Sequence, residues 1–189
     1  MGNAASGFAA VLLAQRHDGA ILWAVQRDTP FPPRLAAFGL DPDRLIFCRC
    51  RNDAETLAAL EEGLRTKGIG AAIGEASHVT LTQSRRLHLI CEQGGSTGLL
   101  LRRQFHGRGN QRKAQGSAAT TRWRVSFAPT AQETGLGTPR WRLDLLYCRG
   151  CMPASFIVEW NDETRDLHLV AKLADDPAVP QHAGLRRAG

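Results

Sequence analysis

No apolar run in the 189-residue chain approaches the length needed to cross a bilayer as a helix. No basic segment stands ahead of the apolar N-terminal stretch, so a secretory signal is not expected and a cytoplasmic location is. The five cysteines (Cys48, Cys50, Cys91, Cys148 and Cys151) are an odd number without a secretion signal, which argues for reduced thiols. The six histidines are scattered, and His78 and His88 are too far apart for an i, i+4 metal pair. No Ser/His/Asp or Cys/His triad assembles by spacing, and there is no internal repeat. Between Glu92 and Glu133 there is no acidic residue.

What is present is 43% hydrophobic and 22% charged, enough for one compact domain with a sizeable core. The net charge of +6 favours anionic partners without identifying one. The first hundred residues alternate helix and strand patterns. "AASGFAAVLLAQRH" predicts a helix with Phe8, Val11 and Leu12 on one side. "AILWAV" (20–25) is a continuous apolar run bounded by Gly19 and polar residues, as a buried parallel strand would be. "FPPRLAAFGL" predicts a short helix, "RLIFCR" (44–49) a second strand, and "NDAETLAALEEGLRTKG" a helix capped by Asn52. "IGAAIGEA" (69–76) is a third strand. "LTQSRRLHLICEQGG" is a helix capped by Thr80 or Thr82, and "TGLLLRR" (97–103) a fourth strand. A polar, glycine-rich segment at 104–118 is expected to be mobile. "TTRWRVSF", "RWRLDLLYCRG", "SFIVEW" and "DLHLVAKL" then alternate by twos with no helix between them. The expected fold is α/β: a mostly parallel sheet flanked by helices with an antiparallel C-terminal extension, as one core over 1–173 and a disordered tail over 174–189.

The opening residues pose a chemical question. Gly2 and Gly7 have the spacing of the first part of G-x-x-x-x-G-K-[ST], but Phe8 stands at the lysine position and Ala9 at the hydroxyl position. Neither can neutralise a phosphate or hold Mg²⁺. The loop normally follows a strand, and none precedes Gly2, so a sheet one strand short is expected.

The order of elements is similar to the core of RecA-type recombinases. On that resemblance "ILWAVQRD" is the strand that ends in the recombinases' catalytic glutamate, and here it ends in Gln26-Arg27. "GAAIGEA" matches the Walker B strand with Glu75 at the acidic position, and "LLLRRQ" matches the strand entering the second DNA-binding loop. The wording "GLDPDRLIFCRCRNDAETLAALEEGLR", "LTQSRRLHL", "TTRWRVS", "GLGTPRWRLDLLYCRG" and "SFIVEWND" resembles the ImuA family, RecA-like accessory proteins of damage-induced mutagenesis grouped with SulA-like division inhibitors. The resemblance runs from about Gly2 to Leu173. It implies a non-catalytic accessory protein of the SOS response, without a cofactor. Such a protein would link RecA or DNA to an error-prone translesion polymerase complex that includes an ImuB-type Y-family polymerase homologue. A SulA-like division inhibitor docking on FtsZ is the alternative, and a DNA-binding protein with no fixed partner a third reading.

On this view Gly2, Gly7, Phe8, Ala9 and Glu75 are the degenerate nucleotide site. Read alone, Glu75 is a carboxylate at a strand end. Arg102, Arg103, Arg108, Arg112, Lys113, Arg122 and Arg124 populate the acid-free span. Alternation puts Trp123, Val125 and Phe127 on one strand face and Trp141, Leu143, Leu145 and Tyr147 on another, both expected in the core. Arg122, Arg124, Arg140 and Arg142, with Asp144 among them, then form the opposite, basic face. That face suits DNA phosphates or an acidic protein surface; a solvated edge that discourages aggregation would read the same. Cys148-Arg-Gly-Cys151 has CxxC spacing, and Cys48 and Cys50 could add two thiolates. The two pairs belong to different strands that need not meet, so buried or incidental cysteines are expected, with neither a metal nor a redox role.

Overall fold

The computed structural model describes residues 4–16, 19–27, 29–102, 116–130 and 138–173. Most of the glycine-rich segment and the tail from Ala174 lie outside them. The chain divides into two compact units, Met1–Ala119 with Asp162–Asp166, and Thr120–Asn161 with Leu167–Gly189.

The first unit carries a parallel sheet of β1 (Ala20–Val25), β2 (Leu45–Arg49), β3 (Ile69–Glu75) and β4 (Thr97–Leu101), ordered β2-β1-β3-β4. Its helices are α1 (Ala4–Ala14), α2 (Pro32–Ala36), α3 (Asp53–Arg65) and α4 (Leu81–Gly94). Ile21, Trp23 and Val25 of β1 and Ala71 and Ile73 of β3 pack against Ala9, Ala10 and Leu13 of α1 and Leu35 of α2. Leu22 and Ala72 face the other way, onto Leu57, Leu60 and Leu64 of α3 and Ile90 of α4. Both faces of these strands are covered, which is why they read as unbroken apolar runs. α1 buries Phe8 and Val11 but leaves Leu12 exposed; the helix turns its alanines toward the sheet instead.

Side chains set the helix starts. Asn52 Oδ1 accepts the Glu55 N–H at 2.9 Å, while the Glu55 carboxylate reaches past the cap to the Arg51 N–H at 2.8 Å. Of the two threonines the sequence offered, Thr80 caps α4, exchanging bonds of 3.2 Å and 2.9 Å with Gln83.

The second unit holds β5 (Thr121–Phe127), β6 (Arg140–Cys148), β7 (Ala154–Asn161) and β8 (Asp166–Leu173) as a sheet of their own, ordered β5-β6-β7-β8. β6 is antiparallel to both β5 and β7. Two expectations are corrected here. Trp123 and Phe127 are not core residues: they are 36% and 62% exposed, because among the described residues β5 has a neighbouring strand on one side only. Tyr147 does not join Leu143 and Leu145 inside. The β5–β6 register shifts between Arg122 and Trp123, leaving Leu146 without an opposite residue, and the alternation reverses beyond it. Among the described residues no helix is long and apolar enough to cross a membrane.

The entry to β1 is a tight backbone crossing. A Cβ on Gly19, whose φ is +68°, would stand 2.5 Å from the Gly68 carbonyl oxygen and 2.7 Å from the Gly70 nitrogen. Gly68 has φ +90° but open space around its Cβ position. Gly68→Ala should therefore cost only the left-handed penalty, about 1 kcal/mol. Gly19→Ala adds a displaced backbone and should cost about 2–4 kcal/mol. Urea unfolding of the two variants checks the difference; equal losses would remove the crossing as a constraint.

Candidate functional site

From β1 the chain leaves toward β2, and from β3 toward β4 on the other side. The carboxyl ends of β1 and β3 therefore flank the point where the connections diverge, the place where open α/β sheets hold ligands. Gln26, the residue after β1, lies there. Its Nε2 donates to Asp53 Oδ1 at 2.7 Å, to the Glu75 carbonyl oxygen at 2.9 Å and to Thr56 Oγ1 at 3.2 Å. Thr56 donates its own hydroxyl to the Asn52 carbonyl at 3.1 Å, so toward Gln26 it is an acceptor. Three acceptors fix which end of the amide faces inward.

Asp53 extends the network. Its Oδ2 accepts the backbone N–H groups of Ser77 (3.0 Å) and His78 (2.8 Å), in the loop after β3. Arg102, the residue after β4, donates through Nη2 to the Ser77 carbonyl at 3.2 Å. Burial pushes the Asp53 carboxyl up, but the Gln26 amide and the two N–H donors outweigh it and hold it below the ordinary carboxylate range. At the end of β2, the Cys50 N–H donates to the Val25 carbonyl at 2.7 Å, and burial, reinforced by the Cys48 thiol, pushes the Cys50 thiol up.

The candidates from the sequence separate. Gly2 lies outside the described residues. Gly7 is the fourth residue of α1 rather than part of a loop ahead of it, so the Phe8 N–H falls to the helix ladder. Phe8 and Ala9 are buried. Glu75, also buried, ends β3 beside Gln26. Arg103, Arg108, Arg112 and Lys113 are outside the described residues. In the second unit, Arg124, Arg140 and Arg142 share a sheet face with two carboxylates. Arg140 bonds Glu159 through Nε at 3.0 Å and again through Nη2, and Arg142 Nε donates to Asp144 Oδ1 at 2.9 Å. Arg124 stands 3.9 Å from Asp144 with its side chain 49% exposed. Arg122 lies beyond the register shift, opposite Tyr147. Among the described residues no three His, Cys, Asp or Glu side chains converge as a metal site.

Sequence reasoning noticed Gln26 only as a missing base and placed Asp144 on the arginine face, as found, but missed Asp53 and Glu159. An acidic residue at the first position of a capped helix was the available signal for Asp53.

A glutamate at position 26 would aim a carboxylate at three acceptors. Gln26→Glu should lose about 1–3 kcal/mol at neutral pH. The sign of its pH dependence is diagnostic. In the wild type, Asp53 has a depressed folded pKa, so its contribution persists above the unfolded value of about 4 and fades below it. In the variant, the new carboxyl is raised by its neighbour, so stability should rise as the pH falls from about 7 to about 5. Urea unfolding across that range checks this; parallel profiles would mean the amide contacts contribute little.

No protein-family model matches the chain. In part it is similar to the crystal structure of SulA from Pseudomonas aeruginosa, with a TM-score of 0.44 and 18% identity over 51% of this chain and 82% of that one. It is 41% identical over 183 residues to Protein ImuA of Caulobacter vibrioides, in strains NA1000 / CB15N and ATCC 19089 / CIP 103742 / CB 15. That match takes in 92% of this chain and 75% of the relative. With identity of that order across most of both sequences, the chain belongs to the ImuA family.

Proposed function

We propose that the chain is a non-catalytic accessory protein of damage-induced mutagenesis, linking RecA or DNA to an error-prone translesion polymerase complex with an ImuB-type member. Its 41% identity to Protein ImuA carries this reading. The geometry supports the non-catalytic part. Hydrolysis of a nucleotide needs a cation at the outer phosphates, a hydroxyl on Mg²⁺ and a group that orients water. The positions that would supply them hold buried Phe8, buried Ala9 and the bonded Gln26 amide. Gly2, Gly7 and Glu75 are, on this reading, the remaining frame of that site.

Contact with the partner falls to the cations of the acid-free span, Arg102, Arg103, Arg108, Arg112, Lys113, Arg122 and Arg124, with Arg140 and Arg142 shaping the adjoining face of the second sheet.

The test is affinity purification of tagged protein from cells treated with a DNA-damaging agent, after nuclease digestion. RecA or a polymerase homologue should co-purify. Recovery of FtsZ alone, or robust ATP hydrolysis by the pure protein, would overturn the reading. Arg122→Gln with Arg124→Gln should abolish recovery without unfolding the chain, since neither puts a carboxylate beside Asp144, which keeps Arg142 and Ser155. Arg140→Glu should instead destabilise the sheet, because it places a carboxylate against Glu159. If DNA is the partner, the double substitution should flatten the salt dependence of binding by about two phosphate contacts.

A further inference from the structure

The β6–β7 hairpin turns on Cys148-Arg149-Gly150-Cys151. Cys148 ends β6, and Cys151 is its antiparallel bridge partner. Gly150, at φ +88°, supplies the left-handed residue that a two-residue turn needs. Directly opposed residues of an antiparallel pair have Cα atoms about 4.5–5.5 Å apart, inside the roughly 4.4–6.8 Å that a disulfide spans. As directly opposed residues of the bridge, the two cysteines share one face of the hairpin. A hydrogen bond with the Cys151 thiol, then burial and the charge of that second sulfur, push the Cys148 thiol up. Cys151 is exposed, and Cys148 partly so. Cys48 and Cys50 differ: they lie two residues apart on one extended segment, and Cys50 is buried.

We propose that Cys148 and Cys151 are a reversible dithiol–disulfide site at the tip of this hairpin, oxidised by a low-molecular-weight disulfide such as oxidised glutathione. The Cys151 thiolate attacks one sulfur of that disulfide, forms a mixed disulfide and releases one glutathione thiolate. Cys148 then gives up its proton, attacks the Cys151 sulfur and expels the second glutathione. Two protein thiols and one glutathione disulfide become one protein disulfide and two glutathione thiols. Cys151 is the entering thiol because it is the more exposed. Cys148 is the resolving thiol because it stands directly opposite Cys151 in the bridge. The bond would staple the turn that fixes the β6–β7 register, and the site is independent of the proposed partners.

The experiment is equilibration of the whole protein with glutathione redox buffers, followed by alkylation, digestion and mass mapping. Cys148 and Cys151 should be joined in one peptide two hydrogens lighter than its reduced form, reopened by dithiothreitol. The ratio of disulfide to dithiol should rise in proportion to oxidised glutathione and fall with the square of reduced glutathione. Cys50 should become alkylatable only after unfolding. In Cys148→Ser, Cys151 should retain glutathione as a mixed disulfide. The proposal is overturned if both cysteines of the wild type stay separately alkylatable in excess oxidised glutathione. Persistence of glutathione on wild-type Cys151, or covalent dimers in place of the internal link, would overturn it equally.

Discussion

The side-chain amide of Gln26 holds the carboxyl end of the parallel sheet together. Its acceptors belong to α3 and β3, so one nitrogen ties the end of β1 to a helix start and to the neighbouring strand. Asp53 can be anionic there because every donor it meets is an N–H: the amide on one oxygen, two backbone groups on the other. Its position at the start of α3 adds the favourable end of the helix dipole. Polar groups at the divergence point of an α/β sheet are the ones ordinarily offered to a ligand. Here they are engaged with each other, and opening them would expose a carboxylate stabilised by its surroundings. The polar groups are present at these strand ends, and what they bond to is the fold itself.

The second sheet depends on a different constraint, the two-residue turn at Arg149-Gly150. Once Cys148 faces Cys151, equal steps back and forward along the strands set Asp144 opposite Ser155 and Arg140 opposite Glu159. The charges then follow. Asp144 is only 3% exposed, so it needs partners, and it takes Arg142 Nε at 2.9 Å and the Ser155 hydroxyl at 2.8 Å. Glu159 is held below the usual carboxylate range by the Thr138 hydroxyl and then by Arg140. Arg140 and Arg142 are therefore hydrogen-bonded to carboxylates of the same face. Arg124, half-exposed, pairs more loosely with Asp144 at 3.9 Å.

Much of this was legible in the sequence where the cause is local. The bounds of β1 follow from Gly19 and from an apolar run that both faces of a covered sheet require. The starts of α3 and α4 follow from their caps. Gln26 escaped because its partners are 27, 30 and 49 residues away, and no periodic pattern joins them. Trp123 escaped for another reason. Alternation tells which face a residue is on but not how many strands flank it, and among the described residues β5 is flanked on one side only. Tyr147 turned outward through a single unmatched residue that leaves no mark in composition. The Arg140–Glu159 pair could have been counted out from the CRGC turn, since a two-residue hairpin fixes its own register.

The distribution of charge narrows what the chain can attract. The span between Glu92 and Glu133 carries seven cations and no acid, in a chain whose net charge is +6. The remainder is close to neutral, with a single negative charge in excess. The excess positive charge is therefore concentrated in this one stretch, and it acts locally, because exposed charges farther than about 10 Å are screened at ordinary salt. Arg102 spends one of its donors on the Ser77 carbonyl, at the same strand ends that Gln26 and Asp53 secure. The first cation of the acid-free stretch, Arg102, is thus tied to the bonded strand ends of the first unit. Its last two, Arg122 and Arg124, lie on β5 in the second. On the function proposed above, steering of an anionic partner by these cations needs no catalytic group.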